Sequence, residues 1–143
     1  MKFILAIFTL AILTLTASAQ NWTTIISPTG TSNNVAAAST NLYLLTLDAT
    51  EQLNVGFIYS AKCVATNGTT TSIVFDSSID GTTWQSNTYT FSVAQNGTTP
   101  VAMCTNIPVG GVNYLRLQSI GNPGSVGALT NITFQYSAKR HFR

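Results

Sequence analysis

The chain has 143 residues, a formal net charge of +2 at pH 7 and charged side chains at only 7% of its positions, against ~25% in a typical globular domain. That length fits one domain with one core. So little charge excludes a nucleic-acid footprint, and a lone histidine, His141 near the C-terminus, leaves a Ser-His-Asp or Cys-His site without a base.

Residues 1–19 read as a secretory signal. Lys2 supplies the positive start, Phe3 to Leu15 is apolar apart from Thr9 and Thr14, and Ala17-Ser18-Ala19 is a small-residue cleavage site. The apolar run is shorter than the ~20 residues a membrane span needs, and no second run of that length follows. The expected product starts at Gln20, has no membrane span, and is secreted or held at the cell surface, with the periplasm also open to it. Export permits a disulfide. The two cysteines, Cys63 and Cys104, allow one intramolecular pairing, which would close a loop of about 40 residues and stabilise by ~3–4 kcal/mol.

Residues 20–41 form an N-terminal arm or edge strand, with Trp22 to Ser27 extended and Pro28-Thr-Gly30 and Asn33-Asn34 as turns. Leu42 to Asp48 is apolar on both sides, which predicts a strand covered on both faces. Leu53 to Ala65 alternates, with Val55, Phe57, Tyr59, Ala61 and Cys63 on one face. Asn67-Gly68 ends it in a hairpin turn. The return strand from Ser72 puts Ile73, Phe75, Ser77 and Ile79 on one face and turns at Asp80-Gly81. Thr88 to Ala94 places Tyr89, Phe91 and Val93 inward. Asn96-Gly97 turns the chain into Thr99 to Thr105. Val112 to Ile120 has Leu115 and Leu117 on one face and Tyr114, Arg116 and Gln118 on the other. After Asn122-Pro-Gly124, Leu129 to Ala138 places Ile132, Phe134 and Tyr136 inward. Lys139 to Arg143 is a basic tail.

Seven to eight strands, separated by turn signals and rich in Thr, predict an all-β protein. The expected architecture is a single antiparallel β-sandwich over residues 42–138, jelly-roll-like in preference to immunoglobulin-like. The order Cys63, Trp84, Cys104 invites the immunoglobulin comparison, but the cysteine spacing is short for it and Ala102 stands where its tyrosine belongs.

The chemistry available is sparse. The carboxylates are Asp48, Glu51, Asp76 and Asp80. Asp76 and Asp80 lie ~13 Å apart on an extended strand, beyond the ~5–9.5 Å of a glycosidase pair, and no enzyme activity is expected. Asp76 and Asp80 are also the candidates for an oxygen cage around calcium, weighed against turn bracing by Asp80; no metal and no cofactor is expected. Surface aromatics are the platform a sugar needs, and Trp84, Tyr89 and Tyr114 are the candidate ligand-binding residues, with Trp22 and Tyr43 behind them; core packing competes for each ring. N-x-S/T sequons at Asn21, Asn67, Asn96 and Asn131 are available for glycosylation.

The run Ser78-Ile-Asp80-Gly81-Thr-Thr83-Trp84 resembles the S-x-D-G-x-T-W hairpin of discoidin-like jelly rolls and other secreted sandwich modules. It is also similar to the Asp-box turn, without that motif's extra residue between Asp and Gly. The resemblance implies a fold element in which Asp80 and Ser78 brace the turn and Trp84 packs beneath it. It implies no ligand.

Two functions fit. One is an exported, non-catalytic structural or adhesive sandwich whose partner is itself, near-zero charge offering little repulsion. The other is a small carbohydrate-binding module that takes an extracellular glycan on its aromatics.

Overall fold

A computed structural model describes residues 22–49, 52–63, 70–97, 99–124 and 127–140. The expected signal, Glu51, the Asn67-Gly68 turn and His141 lie outside them. Eight strands form: β1 (Thr23–Ile26), β2 (Ser39–Asp48), β3 (Gln52–Cys63), β4 (Thr70–Ser78), β5 (Gln85–Ala94), β6 (Val101–Pro108), β7 (Tyr114–Asn122) and β8 (Leu129–Arg140). They make two four-stranded antiparallel sheets, β1-β8-β3-β6 and β2-β7-β4-β5, and no helix occurs among the described residues.

The pairing explains the architecture. β4 pairs with β5, β3 with β6, β2 with β7 and β1 with β8. These are successive stretches of one long antiparallel ribbon whose tip is the β4–β5 hairpin. Rolling the ribbon brings β3 beside β8 and β4 beside β7 and completes both sheets. The result is the jelly-roll sandwich, and Asp80-Gly81 sits at the tip of the ribbon.

Period-two alternation fills the space between the sheets. Phe57 lies at its centre, with ring centroids 5.3, 5.0 and 5.4 Å from those of Phe75, Phe91 and Phe134. Tyr59, Ile73, Leu115, Leu117 and Ile132 are fully buried around this cluster. Asn122 is buried too. Its side-chain amide donates to the carbonyls of Ala36 at 3.2 Å and Gly127 at 3.0 Å, while its oxygen accepts the Gly124 N–H at 3.3 Å. It thereby ties the segment before β2 to the end of β7.

Three expectations are corrected. β2 is an edge strand, not a strand covered on both faces: Leu42 is 67% and Leu44 52% exposed. Between the pairs Leu42↔Ser119 and Leu45↔Leu117 the strand carries an extra residue, and Leu44 adopts a left-handed φ of 51°. The alternation continues through the bulge, so Tyr43, Leu45 and Leu47 pack on the core while Leu42 and Leu44 face out. Ile79, expected inward, is 69% exposed because β4 ends one residue before it.

The Cys63–Cys104 bridge is the third. Both cysteines are free, Cys63 buried and Cys104 exposed. Cys104 pairs with Ile58 on β3, five residues from Cys63 and so ~16 Å along the strand, whereas bridged Cα atoms lie within ~7 Å. The two side chains also point to opposite faces of the sheet.

Candidate functional site

The hairpin at the ribbon tip is built by one side chain. Asp80 Oδ1 accepts the backbone N–H groups of Thr82 at 2.8 Å and Thr83 at 2.7 Å, and the Ser78 hydroxyl donates to the same oxygen at 3.0 Å. Ser78 Oγ in turn accepts the Gly81 N–H at 2.9 Å. These bonds, the Thr83 and Thr82 N–H groups foremost, hold the Asp80 carboxyl well below the usual carboxylate range. Gly81 has a φ of 75° and lies against Tyr114: a Cβ there would meet the tyrosine ring at 3.3 Å. From the adjoining loop, the Asn113 N–H donates to the Ser78 carbonyl at 3.1 Å and its side-chain amide to the Ile79 carbonyl at 2.9 Å.

Asp76 and Arg116 anchor the hairpin to sheet β2-β7-β4-β5, where they are direct partners across β4 and β7. Arg116 donates from Nη2 at 2.6 Å and from Nε at 3.2 Å to Asp76 Oδ2, and Asp76 Oδ1 accepts the Asn87 N–H at 2.9 Å. The Asp76 side chain is 1% exposed and that of Arg116 21%. Arg116 also lies over the Trp84 ring, 4.2 Å from its centroid, a cation–π contact that fixes the ring.

Beside the hairpin is an open cleft of about 450 Å³. Ile79, Trp84 and Val112 give it apolar surface, and Asp80, Thr83 and Gln85 give it polar groups. Arg116, which holds the Trp84 ring, lies outside the lining.

The three candidate ligand-binding aromatics therefore separate. Trp84 lines the cleft. Tyr114 lies under the turn. Tyr89 pairs with buried Phe75, packs on the core, and donates its hydroxyl to the Pro108 carbonyl at 2.7 Å, which joins β5 to β6. Of the other two aromatics named from the sequence, Tyr43 packs on the core and donates to the Ser32 carbonyl at 3.0 Å, and Trp22 is half-buried before β1. The calcium candidates are committed elsewhere, Asp76 to Arg116 and Asn87, and Asp80 to its turn. Among the described residues no three His, Cys, Asp or Glu side chains cluster. Sequence reasoning did not single out Arg116, although it and Asp76 are opposite charges at outward positions of two predicted strands.

A second surface feature is the edge of β2. Leu42 and Leu44 are exposed there, and Ser39 to Leu47 carries no charged residue. The sequence matches no protein-family model and no curated protein.

Proposed function

We propose that the chain is an exported, non-catalytic structural or adhesive sandwich that associates with copies of itself. The observation that carries this reading is the β2 edge, where two leucines are more than half exposed on a strand that has no proline and no charged residue before its last, Asp48, and so little of what usually guards an edge. A net charge of +2 over 143 residues adds little repulsion between copies. The non-catalytic part of the reading is supported by the carboxylates: Asp76 is held by a cation and a backbone N–H, and Asp80 by backbone N–H groups. Neither is placed to move a proton on a substrate.

The test is sedimentation of the chain from residue 20 across a concentration series. Self-association is expected, and Leu42→Thr with Leu44→Asn is expected to weaken it. Asparagine accepts the left-handed backbone at position 44 better than leucine, so the fold is retained. A wild-type chain that stays monomeric at every concentration would sink the proposal.

A further inference from the structure

We infer that the cleft between the Asp80 hairpin and Val112 is a binding site for a neutral saccharide, one or two pyranose rings in length. A sugar ring has an apolar C–H face and a polar rim, and the cleft offers a counterpart to each. Trp84 supplies a flat aromatic surface, already immobilised by Arg116 at 4.2 Å, so little side-chain entropy is lost when a ligand stacks on it. Ile79 is 69% exposed beside it and adds an apolar side chain to the lining. The polar rim is Thr83, Gln85 and Asp80. Three of the hydrogen bonds that brace the turn fall on Asp80 Oδ1, and the Thr83 side chain also bonds the carboxylate, so Asp80 and Thr83 present one fixed polar edge to the cleft.

Charge narrows the class. The hairpin's own N–H groups keep Asp80 ionised, and no cation lines the cleft. Arg116, the nearest, is paired with Asp76. Phosphorylated, sulfated and uronic ligands are thereby disfavoured, since an anion would meet an uncompensated carboxylate. The volume of about 450 Å³ lies low in the ~300–1,000 Å³ range of small-molecule sites, which sets the short length. This inference does not depend on self-association, because the cleft and the β2 edge share no residue.

The experiment is amide and indole chemical-shift mapping on the chain from residue 20, titrated with methyl glucoside, N-acetylglucosamine, cellobiose and, as the anionic comparison, glucuronate. Saturable shifts confined to Ile79–Gln85 and Val112 are expected with at least one neutral sugar, and about tenfold weaker binding of glucuronate. Trp84→Ala is expected to weaken the neutral sugar at least about tenfold. Because that ring also packs on Arg116, Gln85→Ala is the second variant: it removes an exposed rim amide and is expected to weaken binding with an unchanged amide spectrum elsewhere. The inference is overturned if no neutral sugar shifts these residues, if the shifts map to another surface, if glucuronate binds as tightly, or if an apolar peptide such as acetyl-Leu-Leu-amide occupies the cleft in preference.

Discussion

One oxygen of Asp80 takes two backbone N–H groups and a serine hydroxyl, and the sign of its pH dependence follows. The folded carboxyl titrates below its unfolded value, which is near ~3.9. Its stabilisation is complete above the unfolded value and is lost as the pH falls through the folded one. The stability gap between wild type and Asp80→Asn, read from urea unfolding, is expected to be constant from neutral pH down to about 5 and to narrow below ~4. Tyr59 is the opposite case. Its ring is fully buried and its hydroxyl makes no well-formed hydrogen bond, as is true of Gln95 Oε1, and burial, only partly offset by Thr71, pushes the phenol above its ordinary range. An unsatisfied buried hydroxyl costs ~1–3 kcal/mol, so Tyr59→Phe is expected to leave stability unchanged or to raise it within that range, measured by the same unfolding. The Asp80 turn was legible in the sequence, because an Asx turn is local chemistry. Tyr59 was legible as inward-facing, but its lack of a well-formed bond depends on how Thr71 and Gln95 bond to each other at 2.8 Å, which no local pattern specifies.

Between elements, the pair Asp76–Arg116 joins β4 to β7, and its bond to Asn87 fixes the irregular start of β5, where four residues of β5 span the length of two on β4. The partners differ in burial, 1% for Asp76 and 21% for Arg116, and that difference predicts an asymmetry. Arg116→Ala strands a buried carboxylate, which costs ~3–5 kcal/mol, and releases Trp84 as well. Asp76→Ala leaves a guanidinium that still reaches water, so its cost is expected to be smaller. Urea unfolding of both variants at neutral pH checks the order. Strand positions were legible because period-two alternation survives wherever a strand is regular. At β2 it placed Tyr43, Leu45 and Leu47 on one face as found, but the apolar second face suggested cover on both sides where the sheet edge leaves Leu42 and Leu44 outside, and it misled at Ile79, where the strand ends. Sheet edges and strand ends depend on the neighbouring strand, and a single sequence does not display its neighbour. The same holds for the cleft: Trp84 was a candidate from the start, but Val112 joins it only through the loop that Asn113 ties to the hairpin.

At the scale of the molecule, the ribbon rolls so that strands distant in sequence become neighbours, β1 with β8 and β2 with β7, and register over those distances decides what the cysteines do. Two cysteines in a chain whose sequence reads as exported suggest a bridge by compartment alone. Geometry overrides it: the β3–β6 register sets Cys104 against Ile58, and a one-residue slip on either strand would turn every inward side chain outward. The alternation of Phe57 and Tyr59 inward therefore locks the cysteines apart. The consequence is a thiol count. Under native conditions a thiol reagent is expected to modify Cys104 quickly, because it is exposed, and Cys63 only as fast as the sandwich opens, because it is buried at the end of β3. In denaturant both react without prior reduction, and thermal unfolding is unchanged by a reductant. A chain in which neither thiol reacts until it is reduced would mean that β3 and β6 pair in another register, and the inward phenylalanines would have to be reassigned with them.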